Sequence, residues 1–213
     1  MTALLDAAQS ALPPGAVAAW RDPRKLHPLG VEEAAHIAKA VPARRAEFSA
    51  GRDAARACLE ALNQPSADIR AVNRAPIWPS EVVGSITHSR SECLAVMALR
   101  RDLAGLGIDI EPDTPLPVEL HGTVLREDES ALRDDAKAVF SAKEAVYKML
   151  SARLPHMLEF HDLHLARDGA KTWTATLVSG AGPWPSGATF KVNSLHAADH
   201  FLSLCWLKEG EIP

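Results

Sequence analysis

LAGLGIDIEPDTPLP, residues 103–117, divides the chain. Its first nine residues are apolar and β-branched with acids at alternate positions near the end, which predicts a strand over 103–111. Pro112, Pro115 and Pro117 then mark a connection. Upstream lie two further strand-like runs, VVGSITHS (82–89) and ECLAVMALR (92–100). Before them, PARRAEFSAGRDAARACLEALNQP predicts a long helix from Pro42 to near Asn63. A helix over 31–40, a strand over 15–20 and a helix over 2–12, closed by Pro13-Pro14-Gly15, complete this side. Downstream, helical material returns at 126–140 and 141–154. Strands are expected at 162–168, 171–178, 188–196 and 201–208. The order of helices then strands, twice over, predicts an α+β protein of two halves, 1–104 and 105–213, with no sequence repeat between them.

Composition narrows the class. The 213 residues are 47% hydrophobic and 23% charged, which excludes a mainly disordered chain. A net charge of -4 gives no reason to expect nucleic acid as a partner. Three widely spaced cysteines, Cys58, Cys93 and Cys205, fit a reducing compartment better than a disulfide framework. The first fifteen residues lack a basic region and a continuous apolar run, so no signal peptide is expected. No window reaches the length of a membrane span. A cytoplasmic protein without membrane association is the expectation.

Side chains at i and i+2 share a strand face, so Asp109 and Glu111 point together while Ile108 and Ile110 point away. Two such acids repel unless a cation sits between them. The pair reads either as a solvated strand end or as an oxygen site for Mg²⁺, which takes one or two carboxylates plus substrate phosphates. In FSAKEAVYKML (140–150), Glu144 and Lys148 are four apart on one helical face. They read as a surface ion pair, as a capping box in which Glu144 closes a helix starting at Ser141, or as catalytic groups.

On the helix from Pro42, Arg45, Arg52 and Arg56 form a stripe beside an apolar one made by Phe48, Ala55, Leu59 and Leu62. That stripe is either a solvated cationic face or a phosphate grip. Arg70 and Arg74, before Pro76, would extend it. His88 ends a probable strand after Ser85 and Thr87, and is suited to hydrogen bonding, charge pairing or proton transfer. His161/His164 and His196/His200 have metal-like spacings in regions where they do not converge, and are read as incidental. No Walker A or dinucleotide glycine motif is present.

Together, R-x-x-F-x-x-G-R (45–52), WPSEVVGSITHS (78–89), GIDIE (107–111) and FSAKEAVYK (140–148) resemble the group II 4′-phosphopantetheinyl transferases, in particular the enterobactin synthetase component D-like branch. The resemblance spans about residues 40–150. It implies a monomer of two similar α+β subdomains with pseudo-twofold symmetry and coenzyme A in the cleft between them. It implies transfer of 4′-phosphopantetheine from coenzyme A to a serine of an apo acyl, aryl or peptidyl carrier protein. Asp109, Glu111 and Glu144 would hold Mg²⁺, or Mn²⁺, which suits the same ligands. Glu144, directly or through water, would be the general base. Lys148 would hold phosphate and position Glu144. Arg45, Arg52, Thr87 and His88 would bind coenzyme A, with Arg74, or Arg70 in its place, and with Asp109 and Lys148 at the pyrophosphate. The acceptor surface is expected near residues 126–154. Glu81 and Ser89 stand where this branch often has glycine and cysteine, and neither side chain is expected to matter for the chemistry. Two rivals remain: a non-catalytic coenzyme A or carrier-protein binding module, and an unrelated Mg²⁺ phosphohydrolase. Which carrier protein or pathway is served, fatty acid or siderophore biosynthesis among them, is not encoded in these motifs.

Overall fold

The computed structural model describes residues 2–72, 75–154 and 156–212. The first half opens with α1 (Ala3–Ala11), whose Thr2 Oγ1 accepts from the Leu5 N–H at 3.2 Å. Such a cap is worth about 1 kcal/mol. Next come β1 (Val17–Arg21), α2 (Val31–Ile37) and α3 (Pro42–Ala61). A two-residue ribbon follows, β2 (Ala71–Val72) with β3 (Ala75–Pro76), and then β4 (Val82–His88) and β5 (Cys93–Leu99). The second half holds β6 (Gly105–Pro112), α4 (Val118–Val124), α5 (Ala136–Leu150), β7 (Leu163–Arg167), β8 (Thr172–Leu177), β9 (Thr189–Ala197) and β10 (His200–Leu207).

One sheet has the order β1-β5-β4 and the other β6-β10-β9-β8-β7. The unit β1–α3–β4–β5 is thus matched by β6–α5–β9–β10, each with its last strand in the middle of three. This is the two-part α+β architecture expected, a repeat in topology without a repeat in sequence.

Alternation along the strands builds three apolar layers. Ala95 and Met97 of β5 face Ala54, Cys58 and Leu59 of α3. The other face of that sheet, with Leu94 and Val96, meets Ile108, Ile110, Leu202 and Leu204 of the second sheet. Leu4 and Ala8 of α1 plug this middle layer, and complete burial of Leu4 contributes about 1.5–3 kcal/mol. Val139, Ala142, Val146 and Leu150 of α5 cover the outer face of the second sheet, over Trp173 and Cys205.

Two expectations about the second half need correction. The helical material at 126–154 is not two α-helices. Residues Glu127–Asp135 form 3-10 turns, and α5 then runs unbroken through Ser141. Ser141 is therefore mid-helix and fully buried, and the capping-box reading of Glu144 falls. The glutamate that closes a helical start is Glu129, whose Oε2 accepts from the Arg126 N–H at 2.9 Å. The stretch after Pro117, expected as part of a connection, forms α4, with Val124 buried against α5.

Candidate active site

β4 and β6 lie side by side as edge strands of the two sheets. Ser85 and Thr87, two apart on β4, both aim their hydroxyls at β6. Ser85 Oγ accepts the Ile108 N–H at 3.2 Å, and Thr87 Oγ1 accepts the Ile110 N–H at 3.1 Å. Thr87 spends its own proton on Asp109 Oδ1, at 3.2 Å. The seam between the halves is thus made by side chains, and Asp109 sits on it.

Asp109 is only 3% exposed. Its Oδ1 also accepts from Lys148 Nζ at 2.5 Å. Its Oδ2 is buried with no hydrogen-bond partner among the described residues. An unmet buried carboxylate oxygen is costly, and a cation or donor arriving with substrate would satisfy it. Glu111, on the same strand face, accepts from Lys137 Nζ at 3.3 Å. The side chains of α5 reach this face because β6 and α5 approach very closely at Gly107. A Cβ there would lie 2.0 Å from the Ala145 carbonyl oxygen.

Glu144 has no hydrogen bond or ion pair among the described residues. Lys148 turns to Asp109 instead of to Glu144, so the expected surface pair does not form. Burial raises the Glu144 carboxyl above its ordinary range, and the charges of Asp109 and Glu111 add to this against the opposing pull of Lys148. Glu111 is raised for the same leading reason, with Asp109 adding to it and Lys137 opposing. A carboxylate raised this way is a better proton acceptor. Glu144 and Tyr147 line two cavities at once. One, of about 450 Å³, lies between the halves against Trp78, Ser85, Lys148 and Met149. The other, of about 470 Å³, lies against Thr123, Met157, Phe160 and His161.

The three acids do not converge as a ready-made cage: no cluster of three histidine, cysteine or acidic side chains placed for a metal occurs among the described residues. The donor chemistry still fits a hard divalent cation. Asp109 has one unused oxygen, every side-chain donor is oxygen, and Mg²⁺ needs only one or two carboxylates when phosphates complete its shell.

The basic residues separate into two groups. His88 lies at the end of β4, with Nε2 3.2 Å from Arg44 Nη1 and 4.0 Å from Glu47 Oε2. Partial burial lowers its pKa, and the Arg44 and Lys148 charges lower it further against the opposing pull of Glu47. The arginine at His88 is therefore Arg44, which the sequence reading passed over; Arg45 is exposed and its side chain makes no bond among the described residues. Arg52 is 5% exposed, donates from Nε to the Ile69 carbonyl at 2.7 Å and stacks on Phe48, 4.3 Å from the ring centre. Burial brings its pKa down to about 10. Arg70, next along from Ile69, is exposed beside Glu32 and lines a shallow cavity with Glu33, His36 and Phe48. Arg56 is committed to structure, bonding Glu33 Oε2 at 2.5 Å. Glu33 is fully buried, and its other oxygen accepts the Ile69 N–H at 2.8 Å, so it ties α2, α3 and the Arg70 segment together. Arg74 lies outside the described residues.

Lys143, beside Glu144, has a different task. It is 1% exposed and donates to Glu129 Oε2 (2.6 Å), Val124 O (2.9 Å) and Phe160 O (3.0 Å). It anchors α5 to α4 and to the 3-10 turns around it.

A family model for the 4′-phosphopantetheinyl transferase N-terminal domain matches residues 32–98, and one for the 4′-phosphopantetheinyl transferase superfamily matches residues 105–205. The chain belongs to the 4′-phosphopantetheinyl transferase superfamily and is an enzyme of that family. It is 41% identical over 169 residues to 4′-phosphopantetheinyl transferase Svp of Streptomyces mobaraensis, covering 74% of this chain and 68% of the relative. It is 36% identical to 4′-phosphopantetheinyl transferase PptT of Mycobacterium tuberculosis, covering 75% and 74%. Enterobactin synthase component D of Salmonella typhimurium is 33% identical over 52% of this chain and 50% of its own length. Among the described residues, no helix is long and apolar enough to cross a membrane.

Proposed function

We propose that this enzyme moves 4′-phosphopantetheine from coenzyme A to a serine hydroxyl of an apo carrier protein, with a divalent cation bound by the acids of the seam. The carrying observation is Glu144: a carboxylate raised in pKa and free of any bond among the described residues, on the wall shared by two cavities. The cavity between the halves would take coenzyme A, and the outer one the acceptor.

Asp109 Oδ2, with Glu144 and Glu111, would hold Mg²⁺ on the coenzyme A pyrophosphate. The ion supplies charge neutralisation as the phosphoanhydride breaks. Lys148, already on Asp109, reaches the same phosphates. The carrier serine oxygen attacks the phosphorus bearing pantetheine, and Glu144 takes its proton, directly or through a water. The bond to the other phosphate breaks in line, and adenosine 3′,5′-bisphosphate leaves. His88, with Arg44 beside it, would hold a phosphate of coenzyme A from the N-terminal half, with Thr87 fixing Asp109. Arg52 would act on the 3′-phosphate end mainly by supporting the Ile69–Arg70 backbone, with Arg45 and Arg70 reaching from the surface. Residues 1–104 would thus furnish most of the cations, and 105–213 the acids together with Lys148.

The test is intact-mass spectrometry of a panel of apo carrier proteins incubated with enzyme, coenzyme A and Mg²⁺. The expected result is a gain of one phosphopantetheine that is lost with a chelator and in a folded Asp109→Ala variant. Activity undiminished in Asp109→Ala would overturn the cation site. Binding of coenzyme A with no gain on any carrier would favour a binding module, and carrier-independent hydrolysis of coenzyme A a phosphohydrolase.

A further inference from the structure

Ser89 follows His88 directly and begins the turn joining β4 to β5. Its hydroxyl oxygen accepts the Glu92 N–H at 3.2 Å and, more weakly, the Ser91 N–H at 3.4 Å. Its backbone N–H closes the same turn onto the Glu92 carbonyl at 2.8 Å. A hydroxyl that has accepted two bonds has one proton left to give. That proton faces His200 Nε2, 3.1 Å away at the start of β10 in the other half.

His200 is built to receive it. The ring is 7% exposed, and Nδ1 lies 2.8 Å from the Ala198 carbonyl, which can only accept. The Nδ1 position therefore carries hydrogen, and in the neutral ring the Nε2 lone pair is left for Ser89. Ala198 and Asp199 hold φ of 48° and 57°, left-handed values that alanine adopts at a cost of about 1 kcal/mol. The Asp199 carbonyl accepts the Asp113 N–H at 2.9 Å, which fastens this hairpin to the end of β6, two residues past Glu111. An ordered relay of hydrogen bonds thus runs from the turn beside His88 to the strand end beside the acids.

We propose that Ser89 and His200 form a latch between the two halves. It is a pair of positioning residues that sets His88 at its working distance from Asp109 and Glu111. The proposal rests on the reading of the inter-half cleft as the coenzyme A site. It also assigns a role to the Ser89 side chain, for which the sequence suggested none. The latch acts on phosphate capture and leaves the proton transfer at Glu144 alone, so its loss shows in the coenzyme A KM before it shows in kcat.

Adenosine 3′,5′-bisphosphate binding by calorimetry and steady-state transfer kinetics test this together. His200→Phe removes the acceptor while filling the space, and Ser89→Ala removes the donor near the surface, where folding is least at risk. Each should weaken bisphosphate binding and raise the coenzyme A KM about tenfold, with kcat within about threefold of wild type. His200→Gln, whose amide oxygen can accept from Ser89, should recover most of the loss. The double variant His88→Ala/His200→Phe should bind no worse than His88→Ala alone, because both act through one group. Nitrogen shifts of the His200 ring supply a readout independent of catalysis: hydrogen on Nδ1 in wild type, with a displaced Nε2 signal in Ser89→Ala. Unchanged binding in both single variants, a loss confined to kcat, additive losses in the double variant, or hydrogen on Nε2 would each overturn the latch. If the wild type itself fails to bind the bisphosphate, the reading of the cleft falls and the latch with it; if only the variants behave as wild type, the latch alone falls.

Discussion

Gly107→Ala tests whether the close approach of β6 and α5 sets the geometry of the site. The added Cβ would lie 2.0 Å from the Ala145 carbonyl oxygen, 2.9 Å from the Met149 nitrogen and 3.0 Å from the Met149 Cβ. The nearest of these atoms are helix backbone, so no side chain can swing aside. Restoring even the tightest tolerable contact demands that α5 retreat by about 1 Å, and a misplacement of that size can cost about 100-fold in rate. Ala145 and Met149 are the chain neighbours of Glu144 and Lys148, so the retreat moves Glu144 and the Asp109 partner together. We expect kcat/KM for carrier modification to fall about 100-fold, and stability to fall by about 1–3 kcal/mol through overpacking. Gly105→Ala is the control. Its Cβ would meet the flexible Met149 Cγ at 3.2 Å and the Met149 carbonyl oxygen at 3.3 Å, so kinetics should stay within about threefold. Intact-mass kinetics and thermal melts of both variants decide the matter. A Gly107→Ala enzyme with wild-type rate and melting temperature would refute the claim that this contact fixes Glu144 and Lys148.

Two further outcomes follow from buried groups. Lys143→Ala strands Glu129 without its cation and should destabilise the fold by about 3–5 kcal/mol. Lys143→Met paired with Glu129→Leu should lose less in urea unfolding, and equal losses would remove the ion pair as the cause. Cys58 and Cys93 are buried with thiols pushed up to about 12, and burial raises Cys205 as well. A thiol reagent at neutral pH should therefore label none of them in the native enzyme and all three after denaturation; rapid native labelling of any one would contradict its burial.

The strands were legible wherever one face is apolar and the other is not. GIDIE told its own orientation: Ile108 and Ile110 lie in the middle layer, and Asp109 and Glu111 point the other way, to α5. The long helix from Pro42 was equally plain, but its functional face was not. Adjacent helical residues differ by about 100° in direction, so a stripe drawn through Arg45, Arg52 and Arg56 leaves out Arg44, the residue that meets His88. Proximity in pattern also misled at Glu144, because a Ser-x-x-Glu spacing marks a helix start only if the helix starts there, and α5 begins five residues earlier. Lys137 and His200 were out of reach for another reason. Lys137 matters through Glu111, 26 residues away, and His200 through Ser89, 111 residues away, and only strand register and helix packing bring such partners together. A two-residue excess of acid over neighbouring cation around GIDIE was the one signal that could have prompted a search for lysines.

The side-chain seam of β4 and β6 has a mechanical consequence. Within either sheet, separating strands means breaking rungs of backbone pairing in succession. Along the seam the ties are side-chain hydroxyls: Ser85 and Thr87 accept from the β6 backbone, Thr87 donates to Asp109, and Ser89 reaches His200. The halves are therefore joined by side chains over a shared apolar layer, and this joint can shift slightly while every backbone rung on both sides stays intact. Small adjustments of the gap between the halves need no unfolding of either sheet.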